Sequence, residues 1–146
     1  MEYHPLTLNV RPQEGEGREV NPMTRKIHGL IPVFPVADVD ATLAYYRDAL
    51  GFSCEGRHQD ESSEAVFGSA LCDGANFYFR KTKGPIPANN CMVYVDEVDE
   101  FCATLKARGV KILEEPEDKP WGYRQFTLED LNGHTLCVFR FSDSVE

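Results

Sequence analysis

The chain has 146 residues, a formal net charge of −9 and a sequence pI near 4.9. A chain of this length can bury a sizeable apolar core, either as one domain or as two small modules. The acidic balance argues against nucleic-acid binding, which needs a basic surface, and no apolar run approaches the ~18 residues of a membrane-spanning helix. We therefore expect a globular protein that binds neither nucleic acid nor membrane.

The N-terminal segment, residues 1–28, differs from the rest of the chain. It is polar and shows no hydrophobic period, which predicts a mobile extension. The alternative, an arm that reaches a partner subunit, stays open. The segment also lacks the apolar core of a signal peptide. We expect a cytoplasmic protein, because the chain has an odd number of cysteines and no C-x-x-C pair, which favours buried thiols in a reducing compartment.

From Leu30 onward the pattern predicts a strand, a helix and three strands. The predicted elements are a strand from Leu30 to Val36, a helix capped by Asp38 or Asp40 with Leu43, Tyr46 and Leu50 on its buried face and Gly51 at its end, and strands near 52–57, 65–72 and 75–81. A hairpin turn at Asp73-Gly74 joins the last two strands. The first half is therefore predicted as βαβββ.

The second half repeats this order. A strand from Cys91 to Val95 leads into a helix with a buried stripe of Val98, Phe101, Cys102 and Leu105, which ends at Gly109. Strands follow at 110–113, 123–128 and 135–141, with a predicted break at 115–120 and a turn at Asn132-Gly133. The second half is predicted as βαβββ again.

A sequence repeat supports this reading. The run from Val36 to Ala44 recurs from Val95 to Ala103, and both this pair and the two turns lie 59 residues apart. A repeated supersecondary unit buries a shared face and leaves a cleft where the copies meet. We predict an α+β fold with modules at 29–83 and 90–142, joined by a linker at 84–89.

Several segments of the sequence carry a family resemblance. They are Pro35-Val36-Ala37-Asp38-Val39-Asp40 leading to Tyr45 through Phe52, then Lys106 through Val110, and Pro120 through Phe126 before Glu129 through Gly133. Together they resemble the vicinal oxygen chelate superfamily. The Pro120-Trp121-Gly122 segment is most similar to the glyoxalase and bleomycin-resistance branch. The resemblance covers about residues 30–141. It implies paired βαβββ modules that form half-open barrels around a ligand or metal site, usually within a homodimer.

The resemblance also implies where a metal would be held. Enzymes of the family take His, Gln or Glu ligands from the first and last strands of each module, and the corresponding positions here are Ile31, Tyr78, Asn90 and Cys137. Isoleucine has no lone pair, Tyr and Asn are poor neutral donors, and one Cys cannot hold a divalent ion alone. We therefore predict no metal and no other cofactor.

Strand alternation then assigns a small-molecule site. One set of strand residues is apolar and should face the helices: Phe34, Val36, Phe77, Phe79, Val93, Val95, Leu136 and Val138. The alternate residues mix aromatic rings with a few polar groups, as ligand pockets do. The predicted ligand-binding residues are Val33, Tyr78, Arg80, Asn90, Met92, Tyr94, Trp121, Tyr123, Gln125, Cys137 and Phe139, and no catalytic residue is predicted. The alternative, that this face packs against the other module, stays open.

Trp121 has two interpretations. Between Pro120 and Gly122 its ring can be exposed as a stacking surface for a flat ligand, or it can be a hydrophobic plug between modules. An acidic surface and aromatic rings together favour a positively charged ligand, whereas Arg80 argues against a purely cationic one.

Two classes of function follow from these residues and the resemblance. The first is a metal-independent protein that binds and sequesters an antibiotic-like aromatic molecule, resembles bleomycin resistance proteins and acts as a homodimer. The alternative is a glyoxalase-type, metal-dependent lyase, isomerase or dioxygenase acting on a small oxygenated substrate. The missing ligands favour the first, and a vestigial fold with a regulatory role is a third option.

Overall fold

The computed structural model describes residues 25–142. Most of the predicted mobile extension, residues 1–24, therefore lies outside the described residues. Residues 25–32 have no regular secondary structure. The elements that follow are β1 (Val33–Val36), α1 (Val39–Asp48), β2 (Ser53–Gln59), β3 (Ala65–Cys72), β4 (Ala75–Lys81), β5 (Asn90–Tyr94), α2 (Val98–Ala107), β6 (Lys111–Asp118), β7 (Tyr123–Glu129) and β8 (Thr135–Phe141).

The strands form two four-stranded sheets of the same topology, with orders β1-β4-β3-β2 and β5-β8-β7-β6. In each sheet the first strand pairs in parallel with the last, and the other pairs are antiparallel. The predicted α+β fold with two βαβββ modules is confirmed. Neither described helix is long and apolar enough to cross a lipid bilayer.

The repeat seen in the sequence is also a repeat in three dimensions. Val33 pairs with Tyr78 in the first sheet, and Met92 pairs with Cys137 in the second, each partner 59 residues further on. The pair Gly68 and Phe79 in the first sheet corresponds to the pair Phe126 and Val138 in the second. The β3 and β7 strands therefore match at an offset of 58, because the loop before β8 is one residue longer than its counterpart.

The helix boundaries follow from the residues that flank them. Asp38 caps α1, since its side chain accepts a hydrogen bond from the Ala41 N–H at 2.9 Å. Gly51 and Gly109 end the two helical segments with φ of 83° and 82°, a left-handed conformation that glycine adopts without strain. Both predicted helix ends are confirmed.

One predicted element is wrong. The acidic, proline-containing stretch after Leu113 was predicted as a break, but β6 continues through it to Asp118. The strand lies at the sheet edge, where the missing backbone N–H of Pro116 can face away from the neighbouring strand. The register also shifts between Glu114 and Glu117. Edge position and irregular register together allow a sequence that a central strand would not accept.

The core lies between each sheet and its helix, and it contains the predicted apolar set. Phe34, Val36, Phe77, Phe79, Leu136 and Val138 are at most 3% exposed, while Val93 and Val95 are partly buried against them. The two modules fill this space differently. The first sheet places small residues on β3 against rings on β4, whereas the second places Phe126 and Leu128 on β7 against aliphatic partners on β8.

A buried polar cluster joins the modules. The Tyr46 hydroxyl donates to Asp130 Oδ2 at 2.8 Å, and Asp130 Oδ1 accepts from the His134 N–H at 2.9 Å. The His134 ring is fully buried, accepts from the Asn89 N–H at Nδ1 and contacts the Pro35 carbonyl oxygen through Nε2 at 2.7 Å. The tautomer is thereby set with the proton on Nε2. These bonds hold the β7–β8 loop against β1 and α1.

Candidate functional site

Each sheet has an outward face, defined here as the side turned away from its helix. A Cβ built on Gly68 would lie 2.9 Å from Val39 Cγ1 of α1, so Gly68 faces the helix and its neighbours Phe67 and Ser69 face outward. In the second sheet Arg124 bonds Asp99 of α2, so Tyr123 and the alternate residues along β7 face outward. All the predicted strand site residues lie on these outward faces.

The outward faces are open at the edge strands β1 and β5. Val33 is 44% exposed, Met92 49% and Tyr94 46%. The alternative interpretation, in which this surface packs against the other module of the same chain, does not hold at these three positions. Large apolar side chains on an open sheet face mark a surface that contacts another molecule.

The outward face of the second sheet carries an aromatic platform, defined as Tyr94, Tyr123, Phe139 and Phe141. Phe139 stacks between the two tyrosines, with ring centroids 5.2 Å from Tyr94 and 4.6 Å from Tyr123, and interplanar angles of 16° and 21°. Phe141 meets all three rings edge-on at 5.2–5.9 Å. These distances are typical of favourable aromatic pairs, so the rings hold one another in place.

Trp121 extends the platform from the β6–β7 hairpin. The Gly122 N–H donates to the Lys119 carbonyl at 3.0 Å, and Gly122 has φ of 90°, so the turn over Lys119–Gly122 presents the indole. The indole Nε1–H donates to Gln125 Oε1 at 3.2 Å, and the side chain of Gln125 is buried. At 59% exposed, the ring does not plug the joint between modules. Trp121 is therefore an open ring in a fixed orientation.

The Lys119 ammonium lies over the indole, 5.8 Å from the ring centroid. It also pairs with Glu114 at 3.4 Å and with Glu117 at 3.3 Å. The cation supports the ring through its quadrupole, and the two carboxylates hold the cation there. Both carboxylates are thus paired with the ammonium, which balances one of their two negative charges.

The outward face of the first sheet has different chemistry. The Tyr78 ring meets Phe67 edge-on, with centroids 5.1 Å apart. Arg80 pairs in register with Pro35 on one side and Phe67 on the other, and its side chain is exposed. In the second sheet its equivalent is Phe139, at the centre of the platform.

The positions that the family uses for metal do not form a donor set here. The Asn90 side-chain amide donates to Thr135 Oγ1 at 2.6 Å, and Ile31 has no donor atom. Burial raises the pKa of the Cys137 thiol, so it is protonated at neutral pH. Among residues 25–142, no group of three or more His, Cys, Asp or Glu side chains could hold an ion. These residues do not fit the metal that the fold family implies.

The structure brings together only part of the predicted site. Trp121, Gln125, Tyr123, Tyr94 and Phe139 are neighbours, whereas Val33, Tyr78 and Arg80 lie on the other sheet. Gln125 was predicted to bond the ligand, but its oxygen is taken by Trp121. Cys137 is 8% exposed and lies below the surface, while Asn90 and Met92 are exposed.

Three residues of the surface were missed by the sequence reasoning. Phe141 continues the alternation of Thr135, Cys137 and Phe139, and the same pattern would have included it. Phe67 could have been found from the alternation of β3. Lys119 carried no sequence signal, because its place over Trp121 depends on the hairpin turn.

Comparison with known protein families decides the identity of the fold. A sequence model of the Glyoxalase/Bleomycin resistance protein/Dioxygenase superfamily matches residues 30–138. The chain belongs to this superfamily. The resemblance to the vicinal oxygen chelate proteins is thereby confirmed for most of the chain. A comparison with curated proteins gives no match.

Solved structures share the fold. TioX from Micromonospora sp. ML1 is 25% identical, with a TM-score of 0.68, and covers 77% of this chain and 97% of its own. A glyoxalase-related enzyme from Clostridium phytofermentans is 19% identical, with a TM-score of 0.67, and the match covers 87% of this chain and 99% of the enzyme. TnmS3, an antibiotic binding protein from Streptomyces sp. CB03234, is 23% identical, with a TM-score of 0.63, over 77% of this chain and 93% of its own. Enzymes and binding proteins thus both occur on this fold, and the site must decide between them.

Proposed function

We propose that this protein binds and sequesters a flat, aromatic, antibiotic-like small molecule without altering it, and that it needs no metal to do so. The observation that carries the proposal is the aromatic platform together with Trp121, which is 59% exposed and held at its Nε1–H by buried Gln125. A ring fixed before the ligand arrives loses little entropy on binding. The proposal is also supported by TnmS3, an antibiotic binding protein that has the same fold.

Binding would work by stacking and exclusion of water. The ligand lies against the open face of Trp121 and the edge of the platform, where flat apolar surface is removed from water on both partners. Sequestration lowers the free concentration of a toxic molecule, which would confer resistance in the cytoplasm. No covalent step is required.

The enzymatic alternative has less support from the residues. Metal-assisted chemistry on vicinal oxygens needs several anionic or imidazole donors around one ion, and the four family positions offer none in that form. The one thiol among them, Cys137, has a raised pKa and makes a poor nucleophile and ligand at neutral pH. A binding function makes no such demand.

The proposal includes a homodimer. The exposed Val33, Met92 and Tyr94 lie on β1 and β5, which are edge strands of their sheets. An apolar sheet edge left open in one chain is protected when a second copy covers it. A stable dimer would also enclose the outward faces and exclude water from the ligand. Light scattering of the purified chain tests this part directly.

The test of the function is a titration with pyrene-1-carboxamide, a flat neutral probe, followed by pyrene emission. Saturable binding is expected, and Trp121→Ala should weaken it by about 1–3 kcal/mol, roughly 5- to 150-fold. Mass spectrometry after release should recover the probe unchanged. Leu131→Ala, at another exposed apolar residue, serves as the control and should leave the affinity unchanged. Equal affinity of wild type and Trp121→Ala would contradict the proposal.

A further inference from the structure

The outward face of the first sheet presents Arg80, a cation with no partner among residues 25–142. Every other Lys or Arg side chain within a described helix or strand makes an ion pair or hydrogen bond, as Arg57 does with Asp40 and Lys81 with Glu64. Others of this kind are Arg47 with Asp48, Lys106 with Glu115, Lys111 with Glu129 and Arg124 with Asp99. Arg80 is the exception among the Lys and Arg residues of the helices and strands described. In a chain with 24 acidic and 15 basic residues, an unpaired guanidinium on a strand is unexpected.

The surroundings of Arg80 leave its charge unmatched. Its register neighbours across the sheet are Pro35 and Phe67, and the next outward residue on β4 is Tyr78, whose ring rests against Phe67. These residues can cover the aliphatic stem of Arg80, but none of them can neutralise its head group. The guanidinium is therefore exposed and open to a ligand.

We infer that the ligand carries an anionic group, a carboxylate or an acidic phenol, that Arg80 binds. The inference rests on the proposed function and adds the class of ligand, a planar aromatic acid. In the proposed homodimer, which encloses the outward faces of both sheets, the aromatic part of the ligand stacks against Trp121 and the platform while its anionic group meets Arg80. A guanidinium presents two parallel N–H donors that match the two oxygens of a carboxylate.

The overall charge of −9 favours a cationic ligand, so the two effects must be weighed. At physiological ionic strength exposed charges are screened beyond about 8 Å, so most of the acidic surface contributes little at the site. The carboxylates of Glu114 and Glu117 are paired with Lys119, which balances one of their two charges. A direct, bidentate contact with Arg80 therefore outweighs the distant acidic surface.

The experiment compares three pyrenes of one shape and different charge on the full chain at neutral pH. The probes are pyrene-1-carboxylate, pyrene-1-carboxamide and 1-pyrenemethylammonium, and the readout is the dissociation constant from pyrene emission. Wild type should bind the carboxylate about tenfold more tightly than the carboxamide, the size of one charged hydrogen-bonded contact. The ammonium should bind most weakly.

Variants assign the preference to Arg80. Arg80→Gln should bind carboxylate and carboxamide within twofold of each other, while its affinity for the carboxamide stays at the wild-type value. Arg80→Lys should keep only part of the preference, because an ammonium lacks the planar fork. Lys83→Gln removes the same charge three residues further on and should keep the full preference. Because Arg80 is exposed, its variants should have the melting temperature of the wild type, and measuring it checks that they fold.

The outcomes separate the inference from the proposed function. If all three pyrenes bind equally well and Trp121→Ala weakens all of them, the binding function stands and the anionic ligand is wrong. A preference for the ammonium, or a preference for the carboxylate that survives in Arg80→Gln, overturns the inference as well. If none of the probes shows saturable binding, the proposed function and the inference fail together.

Discussion

The two outward faces share one backbone plan and differ in chemistry. Arg80 of the first sheet stands where the second has Phe139, Tyr78 where it has Cys137, and Phe67 where it has Gln125. The first face has a cation among a few rings, and the second has three stacked rings, Phe141 edge-on to them and Trp121 in addition. The repeat therefore preserves the residues that fold the chain, while the outward positions of the two sheets differ in chemistry.

The inward positions also differ between the modules, but the differences compensate. In the first module Gly68 and Ala70 leave room for Phe79 and Phe77, and in the second Phe126 and Leu128 face Val138 and Leu136. The aromatic side chains lie on β4 in the first module, whereas Phe126 lies on β7 in the second. The space under the helix is therefore filled in both. We therefore expect the two modules to lose different amounts of stability when their core residues are substituted.

The largest expected effect is at Phe79. Phe79→Ala should lower the free energy of unfolding by about 3–5 kcal/mol, because a fully buried ring is lost opposite a glycine that cannot fill the space. Its counterpart Val138→Ala removes fewer atoms beside the bulky Phe126 and should cost about 1–3 kcal/mol. Urea denaturation measures both. Equal losses would show that the two cores do not differ as described.

Gly68 tests the same comparison from the other strand. Gly68→Ala should destabilise the protein by about 1–3 kcal/mol, since the new Cβ would lie 2.9 Å from both Val39 Cγ1 and Leu43 Cδ1. Ser69→Ala, one residue on and facing outward, is the control and should change stability by less than about 0.5 kcal/mol. Thermal unfolding of the pair is the measurement. A stable Gly68→Ala variant would mean that α1 can shift to accommodate a larger residue.

The joint between modules predicts a difference between adjacent tyrosines. Tyr46→Phe should cost about 1.5–3 kcal/mol, because Asp130 loses a buried donor at 2.8 Å. Tyr45→Phe should cost less than about 1 kcal/mol, since its hydroxyl lies 3.5 Å from the Glu129 carbonyl and that residue is only half-buried. Similar losses for the two variants would contradict a joint centred on Asp130.

The cost of Tyr46→Phe should also depend on pH. Burial first, and Asp130 second, raise the pKa of Tyr46 well above its usual value. The unfolded chain therefore releases the Tyr46 proton near pH 10 while the native state keeps it, and the wild type loses stability as pH rises through 10. The variant has no such proton. The difference in unfolding free energy between wild type and Tyr46→Phe should shrink above pH 10, and a constant difference would contradict the assignment.

The smallest expected effect concerns the orientation of Trp121. Gln125→Leu removes the acceptor for the indole N–H and should weaken pyrene-1-carboxamide binding about three- to tenfold, while leaving the ring present. Gln125→Glu keeps an oxygen at that position and should bind within about twofold of wild type. Trp121 emission anisotropy reports the freedom of the ring in each variant. Unchanged affinity in Gln125→Leu would show that the hydrogen bond does not prepare the site.

Much of the fold could be predicted because local signals agreed with one another. The bounds of β3, β4 and β8 match the prediction, and Asp38, Gly51 and Gly109 mark helix boundaries as their chemistry requires. The continuation of β6 past Leu113 could not be predicted. Its charges and Pro116 are tolerated only because the strand lies at an edge, which is a property of the sheet and not of the segment.

The site could be predicted less completely. Alternation placed Tyr94, Tyr123 and Phe139 on one face, since a strand exposes every second residue. It could not show that Gln125 bonds Trp121 and that Lys119 lies over the indole, because both depend on the hairpin turn that begins at Lys119. The joint formed by Asp130 and His134 was likewise invisible, because it depends on contacts between segments almost a hundred residues apart.

The central claim is that an open aromatic surface around Trp121 binds a planar molecule without a metal. Its most direct test is energy transfer from Trp121, the single tryptophan of the chain, to bound pyrene-1-carboxamide, measured on the same preparation before and after dialysis against a chelator. Saturable sensitised pyrene emission is expected, with the same dissociation constant in both samples. Binding that disappears with the chelator, or pyrene that binds without quenching Trp121, would contradict it.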